Sequence, residues 1–199
     1  MLIEIEGIDG AGKTTQCSLL KEWIKSKGYE AVMVREPGGT DFGEMLRKAI
    51  MSSTPRDKNA EMFAFLACKS QLYTQIIIPS LAADKYVVSD RGSGSFLSYH
   101  NVTSQTHFRT LMTLMRMATL NTIPTVTFLL DLPVETAMQR SDQKEQLSKF
   151  DKLEPAFFEK QRSVFLRLKK CFRHWVLIDA LLPIEEVHSI IKKEPSFLF

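Results

Sequence analysis

The sequence predicts an α/β fold: a parallel sheet of about five strands with helices on both faces. Two observations carry that prediction. Five short apolar runs, at 2–5, 31–34, 86–89, 126–130 and 175–178, alternate with longer stretches in which apolar residues recur at helical spacing. Parallel neighbours need long crossovers, and helices are the usual ones. The first run also passes through a glycine-rich turn into a helical pattern, as a strand–loop–helix unit does.

Taken in order, Leu2, Ile3 and Ile5 form a strand that runs into Gly7, and Leu19, Leu20, Trp23 and Ile24 recur on one helical face from Lys13 onward. Glu4 has no explanation at this level, because the first strand of such a sheet is buried on both sides. The second strand, 31–34, precedes helices at 41–50 and 60–81, and the third strand, 86–89, precedes a helix at 105–118. On that last helix Leu111, Met112, Leu114, Met115 and Met117 read as a packed face. Strand 126–130 leads to a helix at 134–140, then to a polar stretch at 141–153 bearing Asp142, Lys144, Glu145, Lys149 and Asp151, which reads as a mobile lid or as a solvated connection. A helix at 155–171, a strand at 175–178 and a helix at 184–192 follow, and Phe197-Leu198-Phe199 is an apolar tail expected to pack on the body or on a second subunit.

The 199 residues are read as one domain spanning 1–199. Hydrophobic residues at 44% and charged residues at 25% are ordinary for a globular protein, and no apolar run is long enough to span a bilayer. Met1 leads straight into a strand, so the cytoplasm is the expected location and no membrane partner is expected. A net charge of +3 suits anionic small molecules, without the Lys/Arg block of a dedicated nucleic-acid binder. Cys17, Cys68 and Cys171 are widely spaced, which supports neither a zinc site nor a disulfide framework.

Gly7-Ile8-Asp9-Gly10-Ala11-Gly12-Lys13-Thr14 matches G-x-x-x-x-G-K-[ST], a loop whose backbone N–H groups wrap nucleotide phosphates. The helix start adds free N–H groups and a positive dipole end. Lys13 is placed to reach the β and γ phosphates and Thr14 to ligate Mg²⁺, with Thr15 following. The Asn-Lys-x-Asp motif of a GTP-dependent switch is absent.

Four further segments narrow the reading: Glu6 to Gln16 around that loop, Arg35-Glu36-Pro37-Gly38-Gly39-Thr40 after the second strand, Asp90-Arg91 after the third, and Ile178-Asp179-Ala180 after the last. In this order and spacing, from about residue 2 to 188, the chain strongly resembles bacterial thymidylate kinase. The resemblance implies a P-loop nucleoside monophosphate kinase fold with a short lid, transfer of a phosphoryl group from Mg-ATP to dTMP, and a homodimer. A kinase for another nucleotide or deoxynucleoside, or a nucleotide-binding homologue with weak or no catalysis, is the alternative. Phosphoryl transfer through a loose, in-line transition state mainly requires positioning and charge neutralisation. Lys13, Arg35, Arg91 and Mg²⁺ are the cations for it.

Site roles follow from the same resemblance. Arg91 meets the acceptor phosphate, Asp90 joins the Mg²⁺ shell through water, Asp9 contacts the acceptor sugar, and Arg35 and Arg47 lie near the acceptor, although a solvated helix face suits Arg47 equally. Glu36-Pro37 matches a site with a cis bond that bends the strand end toward the nucleotide. Phe65 is the ring on which thymine stacks. Lys69 stands where the family usually has Arg and is expected to donate toward a thymine carbonyl. Ser95 and Tyr99 keep the family pattern, with Tyr99 beside the deoxyribose, where a bulky ring excludes a 2′-hydroxyl. His100 replaces Gln and either bonds the base edge or fills a turn. Gly92 and Gly94 are expected to make this segment more flexible than in the family. Arg140 covers the ATP adenine. Because Gly10 stands where some members carry Arg, the clamping cation is expected from Lys144 and Lys149.

Overall fold

In the computed structural model of the chain, residues 1–103, 107–141 and 154–197 are described. The five predicted strands are β1 (Leu2–Glu6), β2 (Ala31–Arg35), β3 (Tyr86–Asp90), β4 (Val126–Asp131) and β5 (Trp175–Asp179). All pair in parallel, in the order β2-β3-β1-β4-β5. Register brings Ile5 beside Asp90 and Arg35 beside Asp90, so the strands end on one rim. In an open parallel sheet, ligands bind in the crevice beyond those carboxyl ends.

The helices are α1 (Lys13–Ser26), α2 (Asp41–Met51), α3 (Lys58–Leu72), α4 (Ile78–Ala82), α5 (Ser93–Thr103), α6 (Phe108–Ala118), α7 (Val134–Ser141), α8 (Pro155–Cys171) and α9 (Ile184–Lys192). Side chains set several starts: Thr40 accepts from the Gly43 N–H at 3.0 Å to open α2, and Asp57 accepts from Asn59 and Ala60 to open α3. The stretch expected as one helix over 60–81 is instead α3, a π-helical turn (Tyr73–Ile77) and α4. Pro79 explains the change, because it has no N–H to continue the regular ladder.

Strand β1 is buried throughout, including Glu4 at 1% exposure and Glu6 at 0%. Around it Ile3, Ile5, Phe128 and Leu130 pack with Cys17, Leu20 and Ile24 of α1 and with α6 residues Leu111 and Met115 in the main core. Of the apolar tail, Phe197 is buried against Trp23 and Phe128; Leu198 and Phe199 lie outside the described residues. So do Lys144 and Lys149, all of the expected lid beyond Ser141, and residues 105 and 106 of the helix expected from 105. Among the described residues no helix is long and apolar enough to cross a membrane.

The segment after Asp90-Arg91 corrects the expectation of flexibility. Ser93 starts α5, and the two carboxyl groups of β1 hold that start: Glu6 accepts from the N–H groups of Gly92 at 2.9 Å and Ser95 at 2.8 Å, and Glu4 accepts from Ser93 at 3.3 Å. Acceptor oxygens are favoured there by the free N–H groups of the helix start. A Cβ at residue 92 would lie 2.1 Å from the Glu4 carboxyl carbon, and one at 94 would lie 2.5 Å from the Trp175 ring. Both glycines are therefore close-packing positions.

Candidate active site

A cavity of about 1030 Å³ opens at the strand-end rim. Asp9, Gly10, Ala11, Gly12, Lys13, Thr14 and Thr15 line its phosphate-loop side, with Arg140 beyond them. Arg35, Glu36, Pro37, Arg47, Phe65, Lys69, Asp90, Arg91, Ser95, Tyr99 and His100 line the other side. One space thus joins the two predicted groups. Gly7 and Ile8 support the loop from below, and the Ile8 carbonyl accepts a 2.7 Å bond from the Lys13 ammonium.

Lys13 is buried, with Asp9 3.9 Å away. Burial, followed by the charge of Arg91, pushes its pKa down to about 8. The Thr14 hydroxyl donates to Asp90. Among the described residues no three His, Cys, Asp or Glu side chains converge into a metal cage. Adjacent hydroxyl and carboxylate oxygens facing a phosphate-sized space suit Mg²⁺, which keeps water and takes few protein ligands when phosphates supply the rest.

Gly10 is fixed by contact. Its φ is +85°, and a Cβ there would lie 2.0 Å from the Ala137 carbonyl oxygen of α7. Arginine in its place would collide with backbone, which gives a physical reason for glycine here. Arg140, on the same helix, donates to the Ala180 carbonyl at 2.9 Å and so ties α7 to the loop after β5.

Arg91 has a left-handed backbone, φ 74°, uncommon for a residue with a side chain. Its N–H donates to Ile5 at 3.1 Å, while the guanidinium reaches Asp9 and the Ser95 hydroxyl, the latter at 3.2 Å. Ser95 also donates to Glu6 at 2.5 Å, so its hydroxyl links β1 to Arg91. Arg35 is 55% exposed and paired with Glu44 at 2.9 Å; Arg47 donates to the Pro37 carbonyl at 2.6 Å, beside the cis Glu36-Pro37 bond.

Sequence reasoning treated Lys69 as a donor to the base. In the structure it is buried, pairs with Glu36, and holds its ammonium 5.3 Å from the centre of the Tyr73 ring. His100 is buried among Phe65, Phe96 and Tyr99, with ring centres 4.7 to 5.2 Å away, and burial pushes its pKa down to about 4. Its imidazole is therefore neutral near pH 7.

Glu4, unexplained by sequence, accepts from the Tyr73 hydroxyl at 3.3 Å as well as from Ser93. Burial first, then Glu6 and Glu36 against the opposing pull of Lys69, leave its pKa raised to about 8. Between the ordinary carboxylate pKa and about 8 the folded state holds a proton that the unfolded state has released, so stability falls as pH rises through that window. Glu4→Gln keeps the acceptor oxygen and removes the titration. Melting temperatures across pH 5–9 are expected to show the variant gaining on the parent as pH rises toward 8, and parallel curves would refute the assignment.

Two contacts next to the cavity wall are marked by no motif in the sequence. Arg56 and Glu61 were not singled out, yet Glu61 accepts from the Tyr99 hydroxyl at 2.6 Å and pairs with Arg56 at 3.3 Å. A signal existed, because 61, 65 and 69 recur every four residues on one face of α3.

Comparison with known proteins matches the thymidylate kinase family model to residues 5–191. A thymidylate kinase of Thermosipho africanus is 37% identical over 193 residues, covering 96% of both chains. One from Fervidobacterium nodosum is 35% identical, covering 97% of both, and a probable thymidylate kinase of Thermococcus kodakarensis is 37% identical, covering 96% of this chain and 95% of its own.

Proposed function

The chain belongs to the thymidylate kinase family, phosphorylating dTMP to dTDP as an ATP-dependent nucleoside monophosphate kinase, and from that premise we propose how its residues divide the work. The observation that carries the division is the single cavity in which the phosphate loop faces Arg91, Phe65 and Tyr99.

On the donor side, the N–H groups of the phosphate loop and Lys13 hold the ATP phosphates, and Arg140 lies beside the adenine. Thr14 and Asp90 are the protein groups for Mg²⁺, which when bound neutralises phosphate charge. On the acceptor side, thymine stacks on Phe65, Tyr99 stands beside the sugar, and Arg91 takes the phosphate, its fork suited to two parallel bonds. Asp9 holds Arg91 and Lys13 in reach of each other, so the two cations meet where the anions must approach. Two like charges 4 Å apart repel by roughly 4 kcal/mol at an effective dielectric near 20, and that repulsion is what these cations offset. Arg35, Glu36, Pro37, Arg47, Lys69, Ser95 and His100 complete the acceptor wall, with Lys69 acting chiefly by fixing Glu36. Lys144 and Lys149 remain the proposed source of the clamping cation.

A coupled ADP-release assay with Mg-ATP against dTMP, dUMP, other monophosphates and thymidine tests the reading. Turnover with dTMP is expected. Its absence while another acceptor works would refute the substrate, and nucleotide binding without any turnover would refute the kinase.

A homodimer is part of the proposal. Phe42 and Met45 of α2, Phe63 of α3 and Met117 of α6 are 48–68% exposed, and α3 packs against both other helices. Apolar surface of this kind suits a second copy. Phe63→Glu is expected to convert a dimer to a monomer in analytical ultracentrifugation; an unchanged sedimentation mass would place the interface elsewhere.

A further inference from the structure

We propose that Glu61, locked by Arg56, is a positioning residue that holds the Tyr99 ring in place and thereby sets discrimination against acceptors carrying a 2′-hydroxyl. The inference rests on the proposed place of Tyr99 beside the acceptor sugar.

The geometry is a relay across three helices. Arg56, in the connection between α2 and α3, donates to the carbonyls of Ala49 and Ser52 at the end of α2. Its third guanidinium nitrogen lies 3.3 Å from Glu61 Oε2. The other oxygen, Oε1, accepts from the Tyr99 hydroxyl on α5 at 2.6 Å. Glu61 is 9% exposed and sits behind the cavity wall, whereas Tyr99 and Phe65 line the cavity. Its action on a ligand must pass through Tyr99.

The ring contacts of Tyr99 are offset and tilted, and they fix its position less sharply than a hydrogen bond does. They include Phe65 at 5.7 Å, tilted by 39°, and His100 at 5.0 Å and Phe157 of α8 at 5.7 Å, both edge-on. A charge-assisted bond at the far end of the ring is directional. Burial, with Glu61 adding to it, keeps the phenol protonated, so it donates throughout the working pH range. Excluding an added hydroxyl demands a ring that cannot retreat, and rejection of a substrate depends on such built-in obstruction. Without Glu61 the ring can give way.

The test measures kcat/KM for dTMP and for ribothymidine 5′-monophosphate in five variants. Glu61→Ala and Tyr99→Phe should each reduce the ratio of the two by about tenfold, chiefly through a lower KM for the ribonucleotide. The double variant should lose no more than either single one, because both remove one contact. Glu61→Gln, which keeps an acceptor oxygen but not the pairing with Arg56, should restore part of the ratio. Tyr99→Ala separates the two levels: an unchanged ratio there would refute the placement of the sugar itself. A relaxed ratio in Tyr99→Ala with unchanged ratios in Glu61→Ala and Tyr99→Phe would refute this inference alone, as would additive losses. Should Glu61→Ala fail to fold, Tyr99→Phe decides by removing a single oxygen.

Discussion

Lys13→Ala is expected to lower kcat/KM for ATP by about 10³-fold or more, the scale reached when a preorganised charge at a transferring phosphoryl group is removed. The ammonium is buried, bonded to Ile8 and near Asp9, so it is held in place before any phosphate arrives. The variant leaves the Ile8 carbonyl without that donor, which costs about 1–3 kcal/mol, too little to account for such a loss of activity. A pH signature accompanies it. With a pKa near 8, Lys13 loses its charge in the free protein as pH rises through that value, so kcat/KM for ATP should fall there. Phosphates favour the charged form in the complex, and kcat should hold to higher pH. Activity within tenfold of the parent would remove Lys13 from the chemistry.

Gly10→Ala should be the most damaging single-methyl change. The new carbon would lie 2.0 Å from a backbone carbonyl of α7, at a φ that side chains disfavour. Together these effects are expected to cost about 3 kcal/mol, or roughly 10 °C in melting temperature. Displaced loop N–H groups should also reduce turnover by about 10²-fold. Gly28→Ala is the control: its φ is +89° but nothing lies within 4 Å, so it carries the backbone strain alone. Equal losses in the two variants would show that contact with α7 is unimportant.

Local pattern made much of this molecule legible. The five strands stand out because each is a short apolar run between helical stretches, and the phosphate loop because its chemistry needs fixed spacing. Helix α5 was hidden by Gly92 and Gly94, which read as flexible until the side chains beneath them are known. Those side chains, Glu4 and Glu6, lie nearly ninety residues away in sequence. Glu61 was hidden for a related reason: an acidic residue in the first turn of a helix looks like ordinary dipole compensation, and only the arrival of Tyr99 from another helix gives it a partner. Lys69 was found as a pocket residue, but its ion pair with Glu36 depends on where the loop after β2 folds.

Helix α3 turns Phe65 and Lys69 toward the cavity and Phe63 the opposite way, into solvent. One rigid rod thus carries a nucleotide wall on one side and a proposed subunit contact on the other. A shift of that rod by either occupant is felt by the other, and thermodynamic linkage makes any such influence reciprocal. Affinity for dTMP should then depend on protein concentration, and dTMP should tighten self-association by the same factor.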